Sequence, residues 1–114
     1  MAHDNHHTND PLRDLAHSTL TFYERFGLQP DVADMIQNFR EEVGELVEAA
    51  QDGTDKQHIA EEAGDVFVTA IGVCWASGVD IEQLVAQVYR VIAKNDAKNH
   101  ETHVYTDGKI RRRK

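Results

Sequence analysis

Residues 31–53 read DVADMIQNFREEVGELVEAAQDG. Apolar side chains stand at Val32, Met35, Ile36, Phe39, Val43, Leu46, Val47 and Ala50, mostly at steps of three and four. That recurrence follows the 3.6-residue turn of an α-helix and gives the helix one apolar face. Pro30 and Asp31 open the segment and Asp52-Gly53 closes it. Proline and a capping acid favour a helix start, and glycine favours a stop.

Working outward, Thr54 or Asp55 starts a further helix that runs to about Ser77-Gly78. Its first half is amphipathic. From Val66 to Ala76 it is apolar nearly all round, which predicts enclosure by other helices, including those of a second chain. Asp80 caps the next helix, whose stripe is Ile81, Leu84, Val85, Val88, Tyr89, Ile92 and Ala93, fraying near Asn99-His100. On the other side, Asp10-Pro11 starts a helix through Leu12, Leu15, Leu20, Phe22, Tyr23 and Phe26, with Gly27 as its C-terminal cap. No alternating strand pattern is read, and Asp107-Gly108 is read as one turn in a tail. The expected fold is all-α, about four helices in a bundle completed by homo-oligomerisation to a dimer or tetramer. Its parts are a flexible leader (1–9), a helical domain (10–100) and a C-terminal tail (101–114).

The chain has 114 residues and a formal net charge of −8, unevenly spread. Residues 31–65 hold eleven acids and two bases, whereas residues 94–114 hold seven bases and three acids. The acidic middle repels nucleic acid and attracts cations. Arg111, Arg112, Arg113 and Lys114 read as a solvated basic terminus, so no nucleic-acid partner is expected. The lone Cys74 lies in an apolar run and reads as inert core. His3, His6 and His7 belong to the polar leader. No apolar run approaches the roughly 20 residues that span a membrane, and no apolar signal region opens the chain. A cytoplasmic protein without a membrane partner is expected.

Two short boxes carry the chemistry: Arg40-Glu41-Glu42-Val43-Gly44-Glu45-Leu46 and Ala60-Glu61-Glu62-Ala63-Gly64-Asp65-Val66. Each has two glutamates, a small or branched apolar residue, glycine, an acid and an apolar residue. Residues three apart on a helix point about 60° from each other, so Glu42 with Glu45, and Glu62 with Asp65, project one way from their helices. Folded as an antiparallel hairpin, the two helices bring all four carboxylates together. No lysine or arginine stands three or four positions from any of them; only His58 stands four from Glu62. Carboxylates so gathered need a counter-charge or have their pKa values raised. A hard divalent ion with oxygen ligands supplies it, and Mg2+ (with Mn2+ as substitute) keeps waters that leave room for phosphate. Gly44 and Gly64 predict close approach of a helix or ligand.

The succession Glu-Glu-x-x-Glu, a gap, then Glu-x-x-Asp, carried by Glu41, Glu42, Glu45, Glu62 and Asp65, resembles the MazG family of all-alpha nucleoside triphosphate pyrophosphohydrolases. The resemblance runs from about Asp31 to Asp107. It implies that Glu42, Glu45, Glu62 and Asp65 ligate magnesium, and that Glu41, or Glu42, assists removal of a proton from water. It also implies that Lys94, Asn95 and Lys98, late in the last core helix, hold the triphosphate. The implied reaction is NTP or dNTP plus water to the monophosphate and pyrophosphate, with house-cleaning of the nucleotide pool and regulation of normal pools both compatible roles. Tyr105, Asp107 and Lys109 resemble a tail motif of some relatives. Phe22, Tyr23, Phe26, Phe39 and Trp75 are candidates for contact with a base, though core packing accounts for each. Two alternatives stand beside this: a phosphoribosyl-ATP pyrophosphohydrolase, and a non-enzymatic acidic helical binding module. A di-iron carboxylate bundle fits poorly, because that class uses Glu-x-x-His pairs and neither box ends in His.

Overall fold

The computed structural model describes residues 9–114; the leader residues 1–8, with His3, His6 and His7, lie outside the described residues. Four helices, α1 (Pro11–Arg25), α2 (Val32–Asp52), α3 (Lys56–Ala76) and α4 (Ile81–Asp96), precede two strands, β1 (His103–Thr106) and β2 (Lys109–Arg112). The chain divides into two compact units, the first ending at Ile81 and the second spanning Glu82–Lys114.

Local chemistry sets the helix limits of the first unit. Asp10, Asp31 and Asp55 are N-caps in extended conformation. Their carboxylates accept the backbone N–H of Arg13 at 3.1 Å, Asp34 at 3.1 Å and His58 at 3.0 Å. Each such cap is worth about 1 kcal/mol. Gly53 ends α2 in the left-handed conformation, φ 70°, and donates its N–H to Ala49 O at 3.0 Å. A residue with a Cβ is strained there. Only residues 53–55 separate α2 from α3, and so short a connection makes the two helices antiparallel neighbours.

The core of this unit lies where three helices meet. Tyr23 of α1, Met35 of α2, and Ile71 and Gly72 of α3 are buried. The Tyr23 ring stands 5.0 Å from that of Trp75. A Cβ on Gly72 would lie 2.3 Å from Tyr23 Oη and 3.1 Å from Met35 Sδ. Gly72 therefore lets the phenol of α1 seat against the backbone of α3. The expected steric role of Gly44 and Gly64 is not met within this chain, since nothing lies within 4 Å of a Cβ added at either. Among the described residues no large side chain is fully buried. The apolar half of α3 is not enclosed: Phe67 is 59% exposed, and Cys74, expected as core, is half-buried.

In the second unit two expectations change. α4 ends at Asp96, earlier than Asn99-His100, because the Lys98 N–H bonds to Asn95 O at 3.1 Å and tightens the last turn. Lys98 thus stands beyond the helix. The tail is also not a bare turn. β1 and β2 form an antiparallel hairpin pairing His103 with Arg112, Val104 with Arg111, Tyr105 with Ile110 and Thr106 with Lys109. Asp107 (φ 53°) and Gly108 (φ 76°) make its two-residue loop, the positive pair that a tight hairpin turn requires. Asn99 Oδ1 accepts the N–H groups of Glu101 and Thr102 at 2.8 and 3.3 Å. The Arg113 side chain donates to His100 O at 2.7 Å. Part of the basic terminus is therefore built into the hairpin.

Replacing Gly72 by alanine is expected to lower stability by about 1–3 kcal/mol, the usual cost of overpacking, read as a lower denaturant midpoint. Adding Tyr23→Phe, which removes the clashing hydroxyl, should recover part of the loss. An unchanged midpoint for Gly72→Ala would show that the contact is not tight.

Candidate functional site

An antiparallel hairpin turning at residues 53–54 sets positions equally far from the turn at one level. Glu45 then lies opposite Glu62, and Glu42 opposite Asp65. The structure brings these groups together. One carboxylate oxygen from each of Glu42, Glu62 and Asp65 lies within 4.8 Å of the others. Glu45 joins them by sharing hydrogen bonds with the carboxyls of both Glu42 and Glu62. Glu62 is only 8% exposed, Glu42 is half-buried, and Glu45 and Asp65 are exposed.

The cluster is electrostatically strained. The Glu42 carboxyl is pushed up to about 7, first by its hydrogen bond to Glu45, then by burial and by repulsion from Glu45, Asp65 and Glu62. Burial raises Glu62 as well, with the Glu45 charge and hydrogen bond adding to it, the Asp65 charge contributing less, and His58 opposing. Glu42 Oε2 and Glu62 Oε2 are buried with no hydrogen-bond partner. Buried acceptors left without a donor are costly. Hard, orphaned oxygens in excess negative charge are the donor set that a magnesium-like ion takes, so these residues fit a divalent cation.

Two acidic concavities flank this wall. One, of about 290 Å³, is lined by Glu41, Glu42 and Asp65 together with Phe22, Asn38 and Thr69. The other is lined by Glu45, Glu48, Asp52, His58 and Glu62. Glu41 lies at the rim of the first, exposed, and accepts from Gln37 Nε2 at 3.3 Å. His58 makes a 3.5 Å ion pair with Glu61 beside the second when its ring is protonated. Asn38, Thr69, Glu48 and Asp52 were not singled out from the sequence. The signal was present: Asn38 is four before Glu42, Thr69 four after Asp65, and Glu48 and Asp52 follow Glu45 by one and two turns.

Of the aromatic candidates, Phe22 and Tyr23 line the first concavity. Phe26 packs edge-on to Phe22 at 5.2 Å, Trp75 packs on Tyr23, and Phe39 is half-buried. Lys94, Asn95 and Lys98 belong to the second unit. Lys94 is exposed in the last turn of α4, and Lys98 Nζ donates to Asn95 Oδ1 at 3.0 Å.

Residues 22–91 match the family described as PRA-PH, phosphoribosyl-ATP pyrophosphohydrolase. The chain belongs to this family. PRA-PH proteins fall among the MazG-like all-alpha NTP pyrophosphohydrolases, so the chain is a pyrophosphohydrolase acting on a nucleotide, of a typically metal-dependent family. The matched span holds Phe22, both acidic boxes and most of α4, and it ends before Lys94. No curated protein and no solved structure matches the chain. Among the described residues, no helix is long and apolar enough to cross a membrane.

The raised Glu42 carboxyl has a consequence for metal-free protein. The unfolded chain ionises near 4.5 and the folded one near 7. Folding is therefore progressively opposed as pH rises between these values, and by a constant amount above them. In chelator, Glu42→Gln should gain stability relative to the parent across that window and hold the gain at higher pH, by thermal melts. Adding magnesium should shrink the gap above pH 7. A gap independent of pH would rule out the raised carboxyl.

Proposed function

We propose that the protein is a magnesium-dependent nucleoside triphosphate pyrophosphohydrolase that converts NTP or dNTP and water into the monophosphate and pyrophosphate. The single observation carrying this is the convergence of Glu42, Glu45, Glu62 and Asp65 with two buried carboxylate oxygens unpartnered. These four residues would hold Mg2+, with Mn2+ as a substitute. Once bound, the ion neutralises phosphate charge and makes water more acidic. The chain's residues do the rest.

Water attacks the α-phosphorus, a new phosphorus–oxygen bond forms, and the bond to the β-phosphate oxygen breaks with pyrophosphate leaving. Glu41 takes the proton of the attacking water. It lines the same concavity as Glu42 and Asp65 and stands outside the ligand cluster. A carboxylate in hydrogen-bond reach of water is an adequate base for such a step. Phe22 lines one wall of that concavity. Lys94, with Asn95 and Lys98, supplies positive charge and an amide donor to the leaving pyrophosphate. That assignment rests on the sequence pattern. Phosphoryl transfer asks little covalent work of a protein beyond such positioning and charge balance. A house-cleaning role in the nucleotide pool suits this chemistry.

A second reading, phosphoribosyl-ATP as substrate, is favoured by the family match itself. Both substrates present the same bond to the same acids. A panel of nucleoside triphosphates and phosphoribosyl-ATP, scored for pyrophosphate release with and without chelator, separates them. Glu45→Gln and Asp65→Asn are each expected to lose at least about two orders of magnitude in turnover, as suits a metal-assisted step. Full activity in either, or release of orthophosphate alone, would refute the assignment.

The exposed apolar side of α3 supports self-association. Phe67 at 59% exposure, Phe22 at 43% and Val47 at 47% leave much of the first unit's apolar surface uncovered. Such surface usually marks an interface, and a helix apolar all round asks for cover on every side. A homodimer or homotetramer is the proposed form. Sedimentation should give a species heavier than one chain, and Phe67→Glu should shift it to the monomer; a monomeric parent would remove this element of the proposal.

A further inference from the structure

The hairpin unit contains a further cavity, of about 500 Å³, whose lining includes Asn95, Lys98, Asn99, His103, Tyr105 and Ile110. It lies wholly beyond residue 91, where the family match stops. The strand register explains its make-up. His103 and Tyr105 are two apart on β1, and their partners are Arg112 and Ile110. Alternation puts these four side chains on one face of the hairpin. Of these four, Tyr105 and Ile110 are aromatic and apolar, His103 is an imidazole and Arg112 is cationic.

Three observations point to what it takes. Tyr105 is 69% exposed and Ile110 51% exposed although they are a directly paired couple. A cross-strand aromatic–aliphatic pair left open to solvent offers a flat apolar platform. Positive charge stands close by: Lys98 is half-buried in the lining, and Arg112, outside the lining but paired with His103, bears with Lys98 on the His103 ring, which burial foremost pushes below its ordinary value. Finally, the cavity is braced on both sides. Asn99 folds the 99–102 turn, and Arg113 ties the strand end to Thr102 O and His100 O, so the platform is held by the backbone. A planar ring in the lining with a half-buried lysine, and an arginine on the same hairpin face, match one ligand class, a phosphorylated nucleoside.

We propose that the hairpin cavity binds a nucleotide without a divalent ion, the base lying on Tyr105 and Ile110 and a phosphate meeting Lys98 and Arg112. This deepens the function proposed above and rests on Lys98 as a phosphate ligand. It adds Tyr105 and Ile110 as the residues that grip the base.

The test is titration of the full chain with AMP in excess EDTA, by calorimetry and by amide NMR shifts. Binding is expected, with the largest shifts at Tyr105, Ile110 and Lys98. Tyr105→Ile keeps strand propensity but removes the ring, and should weaken AMP by about tenfold or more, in line with the loss of one base stack. Tyr105→Trp should retain binding, which guards against a merely unfolded hairpin. Glu45→Gln, which abolishes turnover under the proposed mechanism, should bind AMP in EDTA as the parent does. Three results would overturn the proposal: no AMP binding in EDTA, phosphate binding as tightly as AMP with Tyr105→Ile unchanged, or loss of AMP binding in Glu45→Gln. Turnover in the parent with no AMP shift at the hairpin would refute this inference and spare the proposed function. AMP binding without turnover of any triphosphate would do the reverse.

Discussion

Four carboxylates pressed together at the seam of α2 and α3 are the constraint on which the rest turns. Like charges at this range repel, and two of the oxygens are buried without a donor. A chain folded only for stability would separate them or place a lysine between them. Here no lysine or arginine stands a turn away, and the strain appears as a Glu42 carboxyl raised to about 7. The short turn at Gly53 holds the helices in register, so the acids cannot slip apart without unwinding an end. A cation relieves the repulsion in the folded state alone, which ties ion binding to stability through mass action.

The scaffold around this seam is thin. The first unit is centred on one junction, where Tyr23, Met35 and Gly72 meet. That suits a chain of 114 residues, since small domains bury a modest share of their surface. It also leaves α3 with an open apolar side, as the exposed Phe67 shows. Close packing is concentrated at the glycine crossing, while the acidic boxes, with open space at Gly44 and Gly64, remain accessible to a ligand.

Charge is divided along the chain as structure is. The first unit presents acids that suit a metal ion. The second presents lysines, arginines and histidines around a β-hairpin. The acidic boxes lie within the family-matched span, and the hairpin lies beyond it.

The four helices and the acid set were legible in the amino-acid order. Helical periodicity, aspartate caps and the matched boxes are local properties, expressed in residues three or four apart. The neighbours of the acids were half legible: Asn38, Thr69 and Glu48 sit a turn from the boxes, but only the packed hairpin shows which concavity each faces. The β-hairpin was missed because four-residue strands rich in arginine hide their alternation, although Asp107-Gly108 between Tyr105 and Ile110 carries the turn signal. Which glycine matters could come only from the tertiary structure. Gly44, Gly64 and Gly72 look alike along a helix, and the crossing of α1 over α3 selects Gly72. A helix repeats its own geometry from sequence, whereas contact between helices depends on where distant surfaces meet.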